Sequence, residues 1–281
     1  MTAAVFLAVL AAAAMHAVWN ALIKVRLDRF ASIQLMTIGM GVAALPLVAF
    51  VEVPQGRVWL WIAASVAMHT GYRLFLVKAY ENGDLAQTYP LARGTAPLLT
   101  TLGAAVFLLE VPEPIAVLGI LLLSAGTLLM SFRGGSPTGA VGGRAVAYAL
   151  ITSLFVSGYT LTDGSGARLA ATASSYAVWL FATDAAWTLV LVLFLRGRAI
   201  VPTMLGEWKA GLFTGALAAA AYWIAMWAMT QAPIASVAAL RESSILFALA
   251  ISVVALREPV TGWRIVSAIA IVAGVVALRL G

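Results

Sequence analysis

Seven ionisable residues lie in stretches apolar enough for lipid: His16, His69, Arg73, Arg93, Asp184, Arg241 and Glu242. A charge at membrane depth is costly, so such groups face a cavity, a partner or water. Arg93 is the sharpest case. It sits in YPLARGTAPLL between Pro90 and Pro97, with no other charge from Asp84 to Glu110. Arginine does not deprotonate in proteins, so it must meet an anion, carbonyls or water. Proline clashes with the carbonyl four residues back, and for Pro97 that carbonyl belongs to Arg93. The spacing therefore predicts a helix whose backbone is loosened beside the charge. Two readings stand: Arg93 holds a substrate anion in its planar fork, or it pairs with Asp184 or Glu242 as a structural staple.

The other polar residues fall into stripes. His16, Trp19 and Asn20 share a helical face at i, i+3 and i+4, suited to a cavity wall or to bonds between helices. A second stripe holds His69, Tyr72, Arg73, Leu76 and Tyr80. A third holds Tyr222, Trp223, Met226, Trp227 and Thr230, deeper than an interfacial belt of aromatics predicts. Such rings and methionines suit an apolar or aromatic ligand, or packing alone. The candidate substrate site is His16, Trp19, Asn20, Tyr80, Tyr89, Arg93, Trp223 and Trp227. His69, Asp184, Arg241 and Glu242 are candidates for a proton relay or for ion pairs. Arg241 and Glu242 are adjacent, about 100° apart on a helix, so each is expected to have a partner elsewhere, or one of them to reach the cavity. Glu110 and Glu258, each just before a proline-containing turn, read as structural boundary residues.

The elements that must position these residues are membrane spans. Of 281 residues 63% are hydrophobic and 10% charged, against roughly 25% charged in soluble domains, and the mean hydropathy is +1.01. A span needs about 20 mainly apolar residues. Charges, Gly and Pro divide the chain into ten such segments: 3–23, 30–51, 58–79, 84–109, 114–132, 144–163, 172–195, 207–229, 233–256 and 260–279. The start lacks the basic region of a signal peptide and reads as the first span. RGGSPTGAVGGR, from Arg133 to Arg144, reads as a linker, giving a first repeat at 1–132, a linker at 133–143 and a second repeat at 144–281. Arg93 and Arg241 are 148 positions apart, as are Glu110 and Glu258, and Gly126 and Gly274. An odd number of spans per repeat inverts the second copy relative to the first, which is a transporter signature. The expected fold is an all-α integral membrane protein with ten transmembrane helices in two inverted-topology five-helix repeats.

Charge sets the orientation. Of 17 basic residues, eleven fall on the connectors after segments 1, 3, 5, 7 and 9 or at the adjoining helix ends, and three on the opposite side. The positive-inside rule then places both termini outside the cell. The net charge of +6 follows from this bias, and the scattered basic residues argue against nucleic acid. The chain has no cysteine, which excludes disulfides and Cys-metal sites. No H-E-x-x-H, G-x-S-x-G or Walker pattern occurs. No enzyme, cofactor or metal is expected. Gly211 and Gly215 form a small-xxx-small pattern, and monomer and homodimer both stand.

MHAVWNALIK in segment 1, YPLARGTAPLL in segment 4 and LRESSILFALAISVVALREP in segment 9 resemble EamA-type members of the drug/metabolite transporter superfamily. The resemblance spans nearly the whole chain, as two EamA-like repeats. It implies a secondary transporter with a cavity between the halves, often exporting amino acids or other small metabolites. The bacterial aromatic amino acid exporters are the nearest functional guess. The expectation is an inner-membrane exporter of aromatic or other apolar amino acids, working by alternating access. The alternatives are a lipid or lipid-linked metabolite translocator and a non-transporting structural or sensing protein.

Overall fold

The structure is a computed structural model that describes residues 1–24, 29–133, 142–255, 257 and 261–281. Glu258, Arg26 and most of the linker at 133–143 lie outside the described residues. The described residues form helices and connectors, without strands.

Helix occupies each segment that the charge and proline punctuation marks. The first repeat holds α1 (Ala3–Lys24), α2 (Arg29–Ala44, continued as a 3₁₀ turn over Leu45–Phe50), α3 (Val58–Asn82), α4 (Leu85–Phe107) and α5 (Pro114–Arg133). The second holds α6 (Gly143–Leu169), α7 (Ala173–Arg196), a short α8 (Val201–Gly206), α9 (Trp208–Gln231), α10 (Ile234–Arg241), α11 (Ser244–Ala255) and α12 (Gly262–Leu280). Among the described residues, eight stretches are long and apolar enough to cross a membrane. Two of the expected ten segments fall short of that measure for different reasons. α4 has 23 residues, about 34 Å at 1.5 Å each, but carries Arg93 and four threonines. The apolar part of α5 is shorter, at 114–130.

The backbone break falls elsewhere than Pro97 predicts. α4 runs unbroken through Pro90 and Pro97. The segment expected at 233–256 is instead divided between α10 and α11, at Glu242 and Ser243. There the hydrogen bonds tighten to the i→i−3 kind: Glu242 N–H to the Ala239 carbonyl, and Ser243 N–H to that of Leu240. Inside a bundle, irregular backbone at membrane depth is tolerated because other groups complete its bonding.

The halves pack on each other by a regular exchange. α3 lies on α6 as α9 lies on α1, and α4 lies on α6 as α10 and α11 lie on α1. α2 meets α9 as α7 meets α3. The pairs α2–α7 and α5–α12 join elements at equivalent places in the two halves. Lipid supplies no hydrophobic drive between helices, so close backbone approach through small residues does much of the joining. On α5–α12, a methyl placed on Gly274 would lie 2.7 Å from the Gly119 carbonyl oxygen, and one on Gly126 would lie 2.8 Å from that of Ser267. The small-xxx-small pattern of α9 is used inside the chain: a methyl on Gly39 of α2 would lie 2.3 Å from the Gly211 carbonyl oxygen.

Gly274→Leu forces backbone apart at the α5–α12 crossing. It is expected to cost at least the 1–3 kcal/mol or so of ordinary overpacking, read as a fall in the thermal midpoint of the detergent-solubilised protein. Gly262→Ala, where a methyl meets nothing within 4 Å, leaves the midpoint unchanged.

Candidate functional site

Among the described residues, faces of eight helices converge on a cavity between the halves. Its wall includes His16 and Trp19 of α1, Met36, Thr37 and Met40 of α2, and His69, Tyr72 and Arg73 of α3. Across it stand Arg93 of α4, Tyr159 of α6, Phe181 and Asp184 of α7, Tyr222 of α9 and Arg241 of α10. The cavity volume is about 80 Å³. Pockets that hold drug-sized ligands run to roughly 300–1,000 Å³, so this cavity has room for water and not for a ligand of that size.

Two bidentate ion pairs frame it. Arg93 donates from Nε to Glu242 Oε2 at 2.9 Å, and its Nη2 lies 2.7 Å from Oε1. Both side chains are about 4% exposed, so the charges neutralise each other within the bundle and tie α4 to the α10–α11 break. Arg73 donates from Nη1 to Asp184 Oδ2 at 2.6 Å and from Nη2 to Oδ1 at 2.8 Å. Thr188 of α7 accepts a further bond from Nη2 at 3.1 Å. Asp184 thus serves Arg73, while Glu242 serves Arg93. Fork-to-fork pairing adds geometric specificity to charge, which suits helices that must keep a fixed register.

Arg241 is different. It is half-buried on the cavity wall, and no carboxylate lies within ion-pair distance of it among the described residues. Its guanidinium lies 4.8 Å from the centre of the Tyr222 ring, a cation–π contact. The Tyr222 hydroxyl in turn donates to Asp163 on α6. Asp163 is fully buried and also accepts from the Tyr176 hydroxyl at 3.0 Å and from His69 Nε2–H at 3.1 Å. His69 stacks on Tyr159, with ring centroids 4.1 Å apart and planes 12° from parallel.

The expected substrate residues divide. His16, Trp19 and Arg93 line the cavity, with the His16 and Trp19 rings edge to face at 4.7 Å. Asn20 and Tyr89 stand behind them. Asn20 Nδ2 donates to Tyr89 Oη at 2.6 Å, and His16 Nε2 lies 3.3 Å from the same hydroxyl. These bonds brace α1 against α4 one turn before Arg93. Tyr80, Trp223 and Trp227 are outside the cavity wall. Trp223 donates to the Ser174 hydroxyl at 3.1 Å, and Trp227 is 38% exposed on the outer face. The stripe on α9 is really two stripes: Tyr222 and Met226 point inward, and Trp223 and Trp227 lie about 100° round the helix.

Asp163, Tyr159 and Phe181 are the site residues that sequence reasoning passes over. Asp163 is the last residue of the expected segment 144–163, in the Gly-rich text TDGSG, and is not among the candidate residues. α6 in fact continues to Leu169, which buries the acid. The available signal is spacing: Tyr159 and Asp163 are four apart, on one helical face.

Glu110 behaves as a boundary residue with two partners. It accepts from Arg168 Nη1 at 2.6 Å and from the Ile234 backbone N–H at the start of α10. Arg168 also donates to the Met229 and Ala232 carbonyls, so one ion pair ties together the ends of α4, α6, α9 and α10.

The EamA-like transporter family matches residues 3–132 and 143–280. The chain belongs to that family, a multi-pass membrane protein built of two repeats and related to transporters of small molecules. One solved crystal structure is similar over 100% of this chain and 98% of that one, with a TM-score of 0.75 and 19% identity, a likeness of fold. Comparison with curated proteins gives no match.

The Arg93–Glu242 geometry predicts a staple. Removing one partner of a buried pair strands a charge and costs about 3–5 kcal/mol, whereas replacing both with apolar groups is close to neutral. Glu242→Ala should therefore lower the thermal midpoint sharply, and Arg93→Leu combined with Glu242→Leu should restore most of it. Equal losses in the single and double variants would count against the staple.

Proposed function

We propose that this chain is a secondary transporter that moves aromatic or other apolar amino acids, or similar small amphipathic metabolites, out of the cell across the inner membrane. The observation that carries the reading is Arg241, a cavity cation without a carboxylate partner among the described residues, set among aromatic rings. A substrate carboxylate would take the guanidinium fork. Trp19, Tyr72, Phe181 and Tyr222 would receive an apolar or aromatic side chain. Arg93, with His16 beside it, contributes to the same wall, and its pairing with Glu242 makes Arg241 the stronger anion contact.

Alternating access is the proposed mechanism, with one half rocking against the other around this site. Ten spans with both termini outside and an inverted second repeat fit the arrangement. Support comes from the α5–α12 crossing, where Gly119 meets Gly274 and Gly126 meets Ser267. That order runs antiparallel between helices at equivalent places in the two repeats, as inversion requires. The small cavity volume fits a contracted stage of such a cycle. A lipid-linked substrate would need an opening between helices that reaches the cavity. The apolar groove lined by Leu249, Ile265 and Val272 on α11 and α12 shares no wall with it.

In proteoliposomes loaded with unlabelled L-phenylalanine, the protein should catalyse exchange of external radiolabelled L-phenylalanine. Arg241→Gln should reduce that exchange at least tenfold, the loss of about 1.4 kcal/mol or more of charge-assisted binding. Arg241→Lys should keep part of it as a point charge. Normal exchange by Arg241→Gln would remove the proposed carboxylate contact.

A further inference from the structure

Among the described residues, three acids are buried around the cavity, and two of them are matched. Asp184 has Arg73 and Glu242 has Arg93. Asp163, with no exposed surface, has no arginine in contact with it among the described residues. Its partners are three hydrogen-bond donors: the Tyr176 and Tyr222 hydroxyls and His69 Nε2–H. An ionised carboxylate only accepts, so this set fits the anion and fixes the imidazole tautomer. Nε2 carries the hydrogen, and Nδ1 is left as the basic nitrogen. No hydrogen bond to Nδ1 is formed among the described residues, and His69 lines the cavity with its side chain 16% exposed. A proton arriving through cavity water would therefore bind Nδ1, with Asp163 behind the ring as its counter-charge.

The neighbours narrow the choice of titrating group. On α3 itself are Tyr72 and Arg73, the latter held by Asp184 of α7. Facing the pair are Tyr159 of α6, Tyr176 of α7, Tyr222 of α9 and Arg241 of α10, with His16 of α1 and the Arg93–Glu242 pair on the opposite wall. The arginines are fixed cations, and the tyrosines are engaged as donors or as ring contacts. Among the described residues His16 bonds to Asn20 and Tyr89, and no acid backs it. Only at His69 is an accessible basic nitrogen backed by a buried carboxylate.

We propose that His69 and Asp163 form the proton-binding site of the transport cycle, which rests on the transporter reading above. Proton occupancy sets how firmly α3, from the first half, is held to α6, α7 and α9 of the second. With His69 neutral, the bond from α3 to the Asp163 carboxylate carries charge on the acceptor only. With Nδ1 protonated, the same bond joins imidazolium to carboxylate and gains the attraction between opposite charges. Low pH therefore favours the contracted cavity, and high pH loosens it. Binding adds one proton at Nδ1 and breaks no covalent bond.

The chain has no cysteine, so a single Ala218→Cys on the cavity wall reports access through its rate of reaction with a methanethiosulfonate reagent, with no substrate present. In membrane vesicles, that rate should fall at least about threefold more between pH 8 and pH 5.5 in the native background than in His69→Gln. Glutamine keeps an N–H donor to Asp163 but takes up no proton, and the thiol's own titration cancels between the two backgrounds. Asp163→Asn should flatten the profile likewise. Superimposable native and His69→Gln profiles would overturn the proposal. A second measurement needs no substitution at the pair. The chain has two histidines, so ¹⁵N-histidine NMR with His16→Gln leaves the His69 signal alone. That signal should move as the pH is changed, and a signal that stays fixed overturns the proposal. A protein with pH-gated labelling but no phenylalanine exchange loses the substrate reading and keeps the proton site. Normal exchange with pH-flat labelling does the reverse.

Discussion

Charge buried at membrane depth must be matched where it sits, and this constraint organises the bundle. Arg73 and Arg93 cannot escape by deprotonation, so each fixes an acid from the other half against itself. Arg73 brings α7 to α3 through Asp184, and Arg93 brings the α10–α11 break to α4 through Glu242. Each pair is bidentate, so each sets the rotation of its helices as well as their distance. The cavity is the space left between the two staples. Its walls are polar because the staples are, and aromatic because Trp19, Tyr72, Tyr159, Phe181 and Tyr222 fill the remainder.

Away from the staples the helices are held by backbone proximity. Gly119 and Gly274 let α5 meet α12, and Gly39, Gly211 and Gly215 let α2 meet α9. Contacts of this kind lack the directionality of an ion pair and allow helices to slide or rotate slightly. The charged pairs and the Asp163 hydrogen bonds are discrete, either made or broken. A bundle that combines the two can hold a small number of defined arrangements, which is what a two-state element requires.

How much of this is legible in the sequence depends on the physics involved. Helix positions are legible because lipid demands about 20 apolar residues at a time, and eight of the ten stretches so marked are long and apolar enough to span among the described residues. The need for a partner at Arg93 is legible from burial cost, and Arg241 answers the same cost by reaching the cavity. Which acid serves which arginine is not legible, because it depends on helix rotation over more than a hundred residues of sequence separation. Asp163 is missed for a local reason: TDGSG has loop composition, yet Gly164 and Gly166 admit Ile234 and Tyr176 against α6. There the glycines serve close packing rather than a turn. The proline rule mislocates the break for a related reason. α4 keeps its helix across Pro97 while packed on α5 and α6, and Ser153 of α6 donates to the Ala92 carbonyl at 2.9 Å, a bond from outside the helix beside Arg93.

The repeat itself explains why one cation stays open. Arg93 and Arg241 are equivalent positions, but Glu242 is equivalent to Gly94. A side chain at Gly94 would begin 2.9 Å from the Leu128 side chain on α5, so an acid there would have to displace that leucine. One carboxylate is thus shared between two symmetry-related arginines, and it goes to Arg93. Arg241 is left on the face of Tyr222, whose hydroxyl is already committed to Asp163. A strictly symmetric pair of repeats would neutralise both arginines and leave an electrically closed cavity. The departure at a single position makes the site asymmetric. It also places the unpaired cation next to the Tyr222–Asp163–His69 chain, so an anion bound at Arg241 and a proton bound at His69 would act on the same tyrosine.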